Sequence, residues 1–92
     1  MRPPYAPAPL GMDIEVCYFA ALREQIGSER ETVSLDDGAT ADALRARLGE
    51  LHPGSARLIQ RSRVAQSHAF VAGAEALEAG APCDIIPPVS GG

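Results

Sequence analysis

Ninety-two residues, a formal net charge of −4 and eight basic residues that are all arginine describe one small acidic domain. That balance argues against nucleic acid as a partner, since binding it calls for a basic face. No run of about 18 apolar residues is present to cross a membrane, so the chain is expected in the cytoplasm.

Residues 1–11 contain four prolines and no continuous apolar segment of the signal-peptide kind. Residues 1–12 are therefore read as a disordered leader, with Met12 as an alternative start, and residues 13–86 as the folded domain. From Asp13 to Ala20 the chain alternates, with Ile14, Val16 and Tyr18 on one face and Glu15, Cys17 and Phe19 on the other: a strand. Phe19 either covers the sheet or meets a partner. Ala20–Ile26 is a short helical turn, with Leu22 and Ile26 four apart and Gly27 as the residue that ends it. Arg23 points away from that pair and reads as a solvated arginine. Glu31–Leu35 is a second short strand returning as a hairpin partner of the first, and Asp36-Asp37-Gly38 is a turn.

Thr40 is placed to cap a helix from Ala41, with Asp42 in its first turn. Leu44, Leu48 and Leu51 form a stripe expected to be core, and His52-Pro53-Gly54 stops the helix. Ser55–Arg63 fits either a short helix or an ordered loop, its arginines forming a solvated face. Val64–Val71 reads as a strand with Phe70 prominent, interrupted by Gln66, Ser67 and His68; His68 reads as an ordinary surface histidine. Gly73–Gly80 is a connection with room for one helical turn. In the last strand Cys83 and Ile85 face one way, Asp84 and Ile86 the other, so Ile86 stands opposite the core and could anchor a partner. Cys17 and Cys83 lack CxxC spacing and a metal-type cluster; they read as small core or half-buried thiols, with no metal expected. One amphipathic helix with four strand-like runs predicts an α+β fold: a β-grasp, with a mixed sheet packed on one main helix.

Residues 87–92 form an extended arm. Pro87 and Pro88 remove two backbone donors and favour an extended course. Val89 and Ser90 continue outward, and Gly91 and Gly92 leave only backbone beside the terminal carboxylate, suited to a narrow channel. Ile85-Ile86-Pro87-Pro88-Val89-Ser90-Gly91-Gly92 resembles the C-terminus of the small subunit of molybdopterin synthase, a ubiquitin-like sulfur carrier of the MoaD/ThiS family. Val16-Cys17-Tyr18-Phe19-Ala20-Ala21-Leu22-Arg23-Glu24 resembles that family's opening strand and turn. The resemblance covers residues 13–92 and is weakest from 55 to 78.

The resemblance implies a route that the residues alone do not supply. An ionised carboxylate is a poor electrophile at neutral pH and needs activation. In the family, an E1-like adenylyltransferase spends ATP to make the acyl-adenylate, and a sulfur donor protein then displaces AMP. Carried over, Gly92 bears the thiocarboxylate and Gly91 precedes it, no cofactor is bound, and sulfur travels covalently on Gly92. Pro87, Pro88, Val89 and Ser90 match the arm that enters the large subunit of molybdopterin synthase, implying a heterotetramer. Phe19, Arg23, Phe70 and Ile86 match positions at or near the partner-facing surface. The carrier itself is no enzyme. Two departures stand out: Ser67-His68 replaces an Asn-containing turn, leaving the strand register open, and Asp84 predicts a more acidic docking face. The rival readings are a sulfur carrier for the thiazole of thiamin and a ubiquitin-like modifier of protein lysines. The chain itself has no lysine to accept such a conjugate.

Overall fold

The alternation of β1 (Gly11–Tyr18) decides the architecture, because its inward residues define the plane on which everything else packs. The computed structural model describes residues 11–88. In chain order β1 is followed by α1 (Ala20–Ile26), β2 (Arg30–Asp36), α2 (Ala41–Leu51), α3 (Ala56–Gln60), β3 (Arg63–Gln66), β4 (Ala69–Val71) and β5 (Cys83–Ile86). The strands form one mixed sheet in the order β2-β1-β5-β3-β4. β1 and β5 run parallel at its centre, and the remaining neighbours are antiparallel.

Ile14, Val16 and Tyr18 point inward with Val64, Cys83 and Ile85, and meet Leu22 of α1 and Leu44 and Leu48 of α2. These positions are almost completely removed from water. β1 starts two residues before the expected Asp13: Gly11 and Met12 pair with Asp36 and Leu35, and Met12 is buried in phase with Ile14. The rest of the supposed leader, residues 1–10, lies outside the described residues.

α1 ends as its sequence requires. Gly27 adopts φ 82° and its N–H reaches the Arg23 carbonyl. α2 begins with the Thr40 hydroxyl accepting from the Ala43 N–H at 3.1 Å. Its buried stripe is Ala41, Leu44 and Leu48; Leu51, expected in the core, is 41 % exposed. The cause is the short turn after α2, which begins at Pro53 and brings α3 against α2, so that Ile59 fills the interior there. Residues 56–60 take the helical option that the sequence left open.

Residues 64–71 are two strands, not one. Gln66 pairs with Ala69, so Ser67 and His68 form a two-residue corner with φ 51° and 67°. The polar residues that interrupted the alternation are the turn itself. No helix forms in the 73–80 connection. It runs instead along the start of α2, where Ala41 and Asp42 donate to the carbonyls of Glu75 and Gly73, and Leu77 donates to Ala39. A Cβ at Gly73 would lie 2.7 Å from the carboxylate of Asp42, an exposed side chain that could turn aside.

Candidate functional site

The sheet face turned away from the helices carries the candidate site, and strand register places each member. Cys17 pairs with Asp84, Asp84 with Ala65, and Ala65 with Phe70, giving one row across that face. One step towards the chain's exit, Ile86 pairs with Arg63. Phe19 follows Tyr18, the partner of Ile85, and so stands level with Ile86.

Phe19 and Phe70 are 42 % and 55 % exposed. Large apolar side chains left in water on one face are the feature that singles out an interaction surface. Ile86 is half-buried rather than open. The Arg63 guanidinium lies 3.9 Å from the centre of the Phe70 ring, so cation and ring hold each other on a short edge strand. Sequence reading assigned Arg63 to a solvated cluster; only the pairing with Ile86 brings it here.

Arg23 belongs to α1, which packs against β5, and it is exposed. It thus flanks the end of the sheet instead of joining its face. Pro87 is buried against the body and Pro88 is exposed, so the body extends one residue into the expected arm. Val89, Ser90, Gly91 and Gly92 lie outside the described residues.

Asp84 sits half-buried at the middle of the face and forms no ion pair among the described residues. It also acts on the two thiols. Burial first, and then the Asp84 charge, push the half-buried Cys17 thiol up; the same pair of causes pushes Cys83 up to about 11. Both thiols are free and stay protonated at neutral pH, which suppresses their nucleophilicity. They belong to opposite faces of adjacent strands. No group of three or more His, Cys, Asp or Glu among the described residues is placed to hold a metal ion.

Two polar clusters support the site from inside. Gln66 is buried, its amide donating to the carbonyls of Glu78 and Ala81, both at 3.0 Å, and accepting from the Glu78 N–H at 2.8 Å. It thereby fixes the loop that delivers β5 to the sheet. Its two-residue phase with Val64 was the available sign that it points inward. In the second cluster the Tyr18 hydroxyl donates to Glu31, and His52 Nε2 donates to the same carboxylate oxygen at 2.5 Å. The Tyr18 and His52 rings meet edge to face at 5.9 Å. Nothing in local sequence joins positions 18, 31 and 52; the β1–β2 pairing and the end of α2 do.

A mixed sheet with β1 and β5 parallel at its centre, crossed by one main helix, is a ubiquitin-like β-grasp. The ThiS family profile matches residues 16–92, and the chain belongs to that family. A molybdopterin synthase sulfur carrier subunit from Chlamydomonas reinhardtii is 37 % identical over 83 residues, which are 88 % of this chain and all of that protein. The crystal structure of small archaeal modifier protein 1 from Haloferax volcanii superposes with a TM-score of 0.73 at 31 % identity, over 87 % of this chain and 99 % of the other. Subunit 1 or 2 within the molybdopterin-converting factor complex of Helicobacter pylori shares the fold at TM-score 0.62 and 24 % identity, over 88 % of this chain and 100 % of that one. The family shows a sulfur carrier, and no helix among the described residues is long and apolar enough to cross a membrane.

Proposed function

We propose that the chain is the sulfur-carrier subunit of molybdopterin synthesis and that its reactive atom is the carbonyl carbon of Gly92. The observation that carries this reading is the register that sets Arg63 opposite Ile86, two residues before the last described residue, Pro88, with the exposed Phe70 ring against Arg63. On this reading the docking face adjoins the root of the carrier arm at Pro87 and Pro88. The raised thiols of Cys17 and Cys83 add support, because they leave neither cysteine suited to carry sulfur at neutral pH.

Activation begins with attack of the Gly92 carboxylate on the α-phosphorus of ATP, held by an E1-like adenylyltransferase, with release of pyrophosphate. A sulfide-level nucleophile from a sulfur donor protein then adds to the acyl carbon. The C–O bond to AMP breaks, and a thiocarboxylate remains. An unhindered glycine carbonyl exposes the acyl carbon, and an ionised thioacid presents a soft nucleophilic sulfur much as a thiolate does. Phe19, Phe70, Ile86 and the flanking Arg23 seat the carrier on a large subunit, in a heterotetramer. Pro87 acts as the anchored root, while Pro88, Val89, Ser90 and Gly91 carry Gly92 into the partner's pocket. The chain binds no cofactor, performs no catalysis of its own and works in the cytoplasm.

Identity to the Chlamydomonas carrier favours the pterin pathway over the thiazole pathway. A second reading, conjugation to protein lysines, is favoured by the likeness to the archaeal modifier protein. Intact mass after incubation with the activating enzyme, ATP and a sulfur source separates them. One oxygen exchanged for sulfur, absent when Gly92 is deleted, is the expected product. A ladder of heavier conjugates supports the modifier instead. Capture of a thiazole synthase in place of a molybdopterin synthase large subunit overturns the pathway assignment.

A further inference from the structure

An activated acyl terminus is vulnerable to any amine within reach, and three arginines belong to or lead into the elements that adjoin β5 near Pro88. Arg63 pairs directly with Ile86, two residues before Pro88. Arg61 ends α3 two residues upstream of Arg63, and exposed Arg23 stands on α1 against β5. The four residues after Pro88 can reach about 14 Å; position 63 stands one strand spacing, about 5 Å, from Ile86, and position 61 two residues further on.

We infer that arginine at positions 23, 61 and 63 is a specificity feature of the activated carrier: a cationic collar that offers its own acyl-adenylate no amine. The inference rests on activation at Gly92. A guanidinium stays protonated and delocalised under all ordinary conditions, so it supplies charge and donors but no nucleophilic lone pair. A lysine ammonium, with an ordinary pKa near 10.4, always has a small free-amine fraction. Tethered beside the tail, that amine would act at an effective concentration of roughly millimolar. Its nitrogen would form an amide with the acyl carbon as the C–O bond to AMP breaks, AMP departs and the proton passes to water. The product is a dead-end loop, one water lighter than the free chain, with no carboxyl left to receive sulfur. All 92 residues include no lysine, and the arginines at the collar put that absence where it matters.

The Arg63–Phe70 contact gives position 63 a second property. With its guanidinium 3.9 Å from the ring centre, the side chain lies along the outer face of the sheet, on which Ile86 also stands. Asp36 supplies the opposite case. It pairs with Gly11, seven residues before Tyr18, so about 23 Å of strand separates it from the level of Ile85. A lysine there is beyond the tail of its own molecule.

The test incubates the full chain and the variants Arg63→Lys, Arg61→Lys and Asp36→Lys with the adenylate-forming enzyme and ATP, without a sulfur source. ATP–pyrophosphate exchange reports activation, and intact mass reports the amide. The expected result is a species one water lighter in R63K and R61K, formed at least about tenfold faster than in the parent chain or D36K. Tandem mass spectrometry should place the amide between Gly92 and position 63 or 61. Adding the sulfur source should then give less thiocarboxylate from R63K than from the parent. Exchange without the lighter species in both arginine variants overturns the inference, as does an equal yield in D36K or in the parent. Loss of exchange in R63K and R61K alone also overturns it, by making the collar a docking element for the activating enzyme. No exchange with any chain sinks the activation reading itself, and the inference with it.

Discussion

Ile85 and Ile86 are neighbours in sequence and opposites in role. Ile85 is wholly buried between Tyr18 and Val64, whereas Ile86 stands half-buried on the other face beside Arg63. One face of this sheet holds the domain together; the other leaves Phe19 and Phe70 exposed and is the one proposed to meet a partner. The two faces share every backbone hydrogen bond, so they can be separated only through side chains. The largest expected effect is on the inner one. Ile85→Ala should lower stability by about 3–4 kcal/mol in denaturant titration, through lost burial and a residual cavity. Ile86→Ala should cost less than half of that, yet weaken binding to a large subunit more than Ile85→Ala does when both are measured on folded protein. Equal losses of stability from the two would erase the distinction between the faces.

The inner face also depends on a polar residue. Gln66 has its amide committed to Glu78 and Ala81 at the loop that feeds β5. Gln66→Leu keeps similar bulk but strands buried loop groups without partners, and the expected cost is about 2–3 kcal/mol. Hydrogen exchange should quicken at the Glu78 amide. If stability holds and that amide stays protected, the loop is fixed by its contacts with α2 instead.

The Tyr18–Glu31–His52 cluster predicts a smaller, pH-dependent effect. Burial alone would raise the Glu31 pKa; hydrogen bonds from Tyr18 and His52 outweigh it and hold the carboxyl below its ordinary 4.5. A depressed carboxyl contributes stability that is complete above the unfolded value and lost as pH falls through the folded one. Glu31→Gln should therefore cost about 1–2 kcal/mol at neutral pH, and the gap to the parent chain should narrow as pH falls below 4.5. A gap that is constant with pH would mean that shape, not charge, is what Glu31 supplies.

How much of this was legible in the sequence follows the range of each interaction. β1, α1 and the capped start of α2 rest on periodicity and on neighbours within a few residues, and the pattern around Ile14, Leu22, Thr40 and Leu44 shows them directly. Local pattern also put Ile86 opposite the core. It failed at Leu51, because a helical stripe does not show that the turn at Pro53 will bring α3 against α2 and let Ile59 fill the interior there. It failed at Arg63, whose place beside Phe70 and Ile86 depends on two strand pairings. The Gln66 clamp and the Glu31 cluster join residues far apart in the chain, so only the completed fold brings them together. Val89 to Gly92, the centre of the sequence argument, owe their assignment to resemblance and composition.

The smallest expected effect is a gain, and it falls on the outer edge. The β3–β4 corner needs two consecutive residues with positive φ, a conformation that suits Asn-Gly, and this chain supplies Ser67 and His68. A side chain in the left-handed region costs on the order of 1 kcal/mol, so His68→Gly relieves strain without touching the core. Glycine also enlarges the unfolded ensemble, which takes back part of the gain. The balance expected is about 0.5–1 kcal/mol of added stability, or a few degrees in Tm for a domain of this size. Phe70 lies two residues beyond the corner, and its register with Ala65 is set by that turn. If the edge strand is held by the turn alone, H68G should also sharpen large-subunit binding; if the Arg63–Phe70 contact already fixes it, stability should rise while affinity stays level. A loss of stability in H68G would show that the imidazole makes a contact worth more than the strain, and the outer edge would then share the inner face's role.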